Sequence, residues 1–107
     1  MMAKGSDLDT ADKVRVLKAL AFQIHRKRPA EEALAEVLDQ ESKGGRNRAF
    51  RPAKEALESQ GVLASMQAIE LLGDEAAAVL GTVIDARDHR LLSSALSALA
   101  EFLEGAG

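Results

Sequence analysis

The chain has 107 residues, 47% of them apolar and only 3% aromatic, with a net charge of −3 and no cysteine, tryptophan or tyrosine. That length suits one domain with a modest core. The lack of cysteine excludes disulfides, thiol catalysis and cysteine-ligated zinc, and the excess of Ala and Leu over β-branched and aromatic residues favours helices over strands.

Residues 1–8 read as a disordered leader, residues 9–104 as a single helical bundle domain and residues 105–107 as a tail. Asp9 or Thr10 can cap a first helix whose apolar stripe is Val14, Leu17, Leu20, Ala21 and Ile24. It ends in His25-Arg26-Lys27-Arg28, cations that suit a helix C-terminus. Pro29 stops it and fits the first position of a second helix, with Glu31 and Glu32 in the opening turn and Ala33, Leu34, Val37 and Leu38 as its stripe. Lys43-Gly44-Gly45 terminates that helix.

A third helix carries Phe50, Ala53, Ala56 and Leu57, tolerates Pro52 only near its start and closes at Gly61. A fourth is predicted from Leu63 to Leu72, ending at Gly73. Asp74 is a suitable cap for a fifth, with Val79, Leu80, Val83 and Ile84 expected in the core. A sixth runs from about Leu91 to Glu104. The fifth and sixth are joined by a short charged corner, Asp85 to Arg90, and are expected to fold back on each other to bury their stripes. The fold class that follows is all-α, a compact six-helix bundle built of antiparallel helical hairpins.

No uncharged run approaches the roughly 20 residues that a spanning helix needs, and Lys4-Gly5-Ser6-Asp7 leads into charged sequence, not the apolar core of a signal peptide. A cytoplasmic location is expected. Charge is uneven. Residues 25–54 hold eight Lys/Arg against five Asp/Glu, whereas the rest holds six against twelve. This basic region (Arg26, Lys27, Arg28, Lys43, Arg46, Arg48, Arg51 and Lys54) could meet an anionic lipid surface or an acidic protein. With Phe50 the only nearby aromatic and the chain acidic overall, nucleic acid is not expected.

No catalytic, cofactor or metal site emerges. His25 lies among cations, and His89 has only its adjacent neighbour Asp88 as a partner, a spacing that does not chelate on a helix. Asp74-Glu75 and Glu31-Glu32 sit at helix starts, where the macrodipole explains them. Gly44-Gly45 lacks the Lys-Ser/Thr ending of a phosphate loop.

Three elements carry a likeness to a known family: Lys27-Arg28-Pro29-Ala30-Glu31-Glu32-Ala33-Leu34, then Gly61-Val62-Leu63-Ala64-Ser65-Met66, then Ala86 to Leu92 followed by Leu99-Ala100-Glu101-Phe102-Leu103. Over about Ala19 to Glu104 the chain resembles the cytoplasmic F-type domain of the inner-membrane platform proteins of type II secretion and type IV pilus assembly. Lys27 stands where that family has glycine, Arg87 where it has glutamate and Arg90 where it has a second glycine. The resemblance implies a non-enzymatic scaffold in protein transport, docking a motor ATPase and assembly partners. It also implies an excised cytoplasmic portion or a stand-alone relative. The residues expected to meet partners are Arg46, Arg48 and Arg51 near one turn and Arg87, Asp88 and Arg90 near another. The alternative is a stand-alone helical adaptor or regulator that binds an anionic ligand or nucleic acid through residues 25–54. Homodimerisation stays open, because small-residue faces such as Ala76-Ala77-Ala78 and Ser93-Ser94-Ala95 serve contacts within or between chains equally well.

Overall fold

The computed structural model describes residues 9–43 and 47–106. Among these described residues six helices follow one another: α1 (Thr10–His25), α2 (Ala30–Ser42), α3 (Asn47–Gln60), α4 (Val62–Ala68), α5 (Asp74–Ala86) and α6 (His89–Ala106). No strand occurs among the described residues, and the helices gather into an all-α bundle measuring 38 × 28 × 21 Å. The expected leader over residues 1–8, the Gly44-Gly45 stop and Arg46 lie outside the described residues. Gly105 and Ala106 belong to the last turn of α6 and not to a separate tail.

Local chemistry sets the helix limits. Asp9 caps α1 reciprocally, its carboxylate accepting from the Asp12 amide at 2.9 Å while the Asp12 carboxylate accepts from the Asp9 amide. At the other end the Lys27 amide donates to the Ile24 carbonyl and the Arg28 amide to that of Gln23, a Schellman closure that holds Lys27 at φ 70°. Pro29 occupies the cap position just before α2, one residue earlier than the expected first helical place. The fourth helix stops at Ala68, short of Leu72, because a second Schellman closure ends it: Leu71 donates to Met66, Glu70 donates to Gln67, and Glu70 turns left-handed at φ 61°. Ile69, Leu71 and Leu72 are buried all the same, in the turn that follows. Asp74 is the first residue of α5, and Gly73 holds the cap position.

The core lies between α1, α2, α3 and α6. Leu17, Leu20 and Ile24 of α1, Leu34 and Leu38 of α2, Phe50 of α3, Met66 of α4 and Leu96 of α6 are all essentially inaccessible to solvent. The chief partner of α6 is α1, with α5 making a much smaller contact than the fold-back of α5 and α6 implied. The reason is the direction of the α6 stripe, since Leu92, Leu96 and Ala100 face the apolar side of α1. Ser93 reaches Ala21 of α1 while Glu104, further along α6, pairs with Lys18, so the two helices run in opposite senses. Val79, expected in the core, is 62% exposed, because α5 turns Ala77, Leu80 and Val83 inward instead. Among the described residues every buried side-chain nitrogen or oxygen has a hydrogen-bond partner.

Candidate functional site

Three interhelical links meet at one end of the bundle and enclose a groove of about 810 Å³. They are the α1–α2 link at Lys27 and Pro29, the α3–α4 link between Gln60 and Val62, and the α5–α6 link at Arg87 and Asp88. Each contains a residue with positive φ: Lys27 at 70°, Gly61 at 104° and Arg87 at 58°. Left-handed residues reverse the chain within one or two positions, and that is how three helix pairs can end close together.

The α5–α6 link is only Arg87 and Asp88. The Arg87 amide donates to the Ile84 carbonyl and ends α5, and the next residue, Asp88, already caps α6. Its carboxylate accepts from the Leu91 amide at 3.0 Å, and its carbonyl accepts from the Leu92 amide. Asp88 therefore shapes the groove as well as lining it. The apolar part of the groove is Ala30, Leu63, Ile84 and Leu92. The rim carries both signs, Lys27 and Arg87 against Glu31 and Asp85. At Gly81 an added Cβ would meet Leu63 Cδ2 at 3.4 Å, so α5 approaches α4 closely along this wall.

The residues singled out in the sequence divide between two places. Arg87 and Asp88 line the groove, and Arg90 is exposed in the first turn of α6. Arg48 and Arg51 are exposed on α3 and do not line it, and Arg46 lies outside the described residues. Several cations of the basic region are taken up by local partners. Arg28 is paired with Glu36 and Lys43 with Asp39, while Arg26 sits 5.5 Å from the Phe22 ring centroid in a cation–π contact. Lys27, part of that region, is the member that reaches the groove. Sequence reasoning did not single out Gln60, Ile84 or Asp85 as lining residues, because nothing local distinguishes them; only the meeting of three distant links does.

Arg15 ties α1 to α2 by a two-pronged ionic contact, well away from the groove. Its Nη2 lies 2.7 Å from Glu41 Oε1 and 2.9 Å from Asp12 Oδ1, and its Nε bonds both Glu41 oxygens. The hydrogen bonds to Glu41 and then Asp12 hold the guanidinium well above its ordinary pKa. Among the described residues no group of three or more His, Cys, Asp or Glu is placed to hold a metal ion, and no helix is long and apolar enough to cross a membrane. No family model, curated protein or solved structure matches the chain significantly.

Proposed function

We propose that this chain is a protein-docking module that holds a partner segment in the groove between the three links and makes or breaks no bond. The observation that carries this reading is the groove itself. It is open, has an apolar floor and carries both signs of charge on its rim. A protein segment supplies apolar side chains and charges of both signs, whereas a phosphate ligand calls for a concentration of cations.

The same three links are the places where the sequence resembles the platform domains of type II secretion and type IV pilus assembly. Support for that likeness comes from backbone conformation. Lys27 stands at the family's glycine and has a left-handed backbone, and Gly61 at φ 104° opens the short α4 as the Gly-x-Leu element requires. On this basis we assign the chain, as a proposal, to the cytosolic part of such a platform, with the motor ATPase or an assembly component as partner. Titration calorimetry of the purified chain against the motor ATPase of its own source tests this. Saturable binding that is lost when Ile84 is changed to Glu supports the reading. Absence of heat and of complex formation, with the chain folded, removes it.

A further inference from the structure

We infer that the outer face of α6 is a self-association surface on which a second copy of this chain lies antiparallel. This goes beyond the docking groove, which lies between the links at the other side of Leu92 and stands or falls separately. Along α6, Leu92, Leu96 and Ala100 face the core. A second apolar row, Leu91, Ala95, Ala98 and Phe102, runs along the outside with the alternating four-three-four spacing of a coiled-coil seam. Leu91 is 49% exposed and Phe102 is 68% exposed, Ala98 is exposed and Ala95 half-buried. The row contains no charged residue.

The charges beside the row identify the occupant. Arg90 lies in the first turn of α6, and Glu101 and Glu104 lie towards its end. A helix macrodipole favours the reverse, anions at the start and cations at the end. Glu104 is taken up by Lys18, whereas Arg90 and Glu101 form no ion pair among the described residues. An antiparallel second copy corrects both ends at once. If Ala95 faces Ala98 of the second copy, Leu91 faces Phe102 of the second copy, and Arg90 comes beside Glu101 of the second copy. A two-fold axis repeats each contact. The small residues at the centre let the helices approach closely, and the large ones at either end close the seam. A parallel copy would set Arg90 against Arg90 and Glu101 against Glu101. A partner face of uniform charge would oppose one end of α6.

Sedimentation equilibrium of the full chain gives the test, and a particle of twice the chain mass is expected. Ala98→Glu would bury an unpaired charge at the centre of the seam, so it should halve that mass and weaken association at least about 30-fold. Arg90→Glu should weaken it at least about tenfold, and Arg90→Glu combined with Glu101→Arg should restore it. The chain has no cysteine of its own, so mixed Ala95→Cys and Ala98→Cys proteins report direction, and the 95–98 disulfide should form ahead of 95–95. A single chain mass at all concentrations, an unaffected Ala98→Glu dimer, or preferred 95–95 linkage would each overturn the proposal. If Ala98→Glu loses its helical circular dichroism, the charge swap and its restoration decide.

Discussion

The hydroxyl of Ser93 on α6 donates to the carbonyl of Ala21 on α1 across 3.1 Å, joining two buried positions 72 residues apart. It is a buried polar tie in the most extensive helix contact among the described residues, that of α1 with α6, and its size can be measured. Ser93→Ala should lower unfolding free energy by about 1 kcal/mol, the usual worth of a buried hydrogen bond. Ser93→Leu should cost more, roughly 1–3 kcal/mol, because the added volume has no room between packed helices. Urea denaturation of the two variants checks the order.

Lys27 and Arg87 sit at left-handed positions that strain any residue with a Cβ. Replacing either with glycine should raise stability by about 0.5–1 kcal/mol, the relief of strain outweighing the greater freedom of glycine in the unfolded chain. For a domain of this size that is a rise of a few degrees in Tm. If these two side chains also line a docking groove, the same variants should bind the partner less well while melting later. Joint loss of both properties would argue for a purely structural role.

Groove and α3 surface can be separated directly. Arg87→Glu reverses a charge on the rim, and Arg51→Glu reverses one on an exposed face away from it. Partner affinity should fall at least about tenfold for the first, a typical loss when a charged contact is opposed, and stay near the parent value for the second. Titration calorimetry on both variants gives the comparison. Equal losses would move the docking surface to α3.

Most of the architecture was legible because it rests on local rules. The capping Asp9, the cations ending α1, Pro29 and Gly61 marked helix limits within a residue or so. Where the reading departed from the structure, tertiary contacts decided. Val79 belongs to a stripe that fits either of two faces of α5, and only the position of α4 and α6 selects the other one. The early end of α4 depends on Glu70 adopting φ 61°, which no preference of glutamate announces. The preference of α6 for α1 over its neighbour α5 is a matter of packing area, invisible in spacing alone. Of the candidate site, Arg87 and Asp88 could be named from the charged corner they occupy. Their meeting with Lys27 and Gln60 needed the folded chain.

Arg15 joins α1 to α2 through Glu41, with Asp12 as a second partner. The arginine side chain is half exposed, so the tie is worth about 1 kcal/mol or less despite its two-pronged geometry. The sign of its pH response is fixed: a cation whose pKa is raised on folding adds stability below its unfolded value, and loses it only as pH rises through the folded one. That window lies above any pH at which the fold would be studied, so alkaline titration cannot expose it. A double-mutant cycle of Arg15→Ala and Glu41→Gln should, with a coupling of about 0.5–1 kcal/mol that shrinks in high salt.

Pro52 is the sixth residue of α3, past the first turn where proline is readily accommodated. It has no amide hydrogen to offer the Arg48 carbonyl, and its ring crowds that carbonyl. The helix continues because Phe50 and Ala53, on either side of Pro52, are fully buried and fix its direction. Pro52 itself is exposed, so Pro52→Ala restores the missing donor without disturbing the core. Stability should rise by about 1–2 kcal/mol, the helical gain being partly offset by the freer unfolded chain. Thermal melting followed at 222 nm is the measurement, with the wavelength serving as the usual helix signal. A fall in Tm would mean that the backbone geometry imposed by Pro52 is needed to seat Phe50, and that the core was built around it.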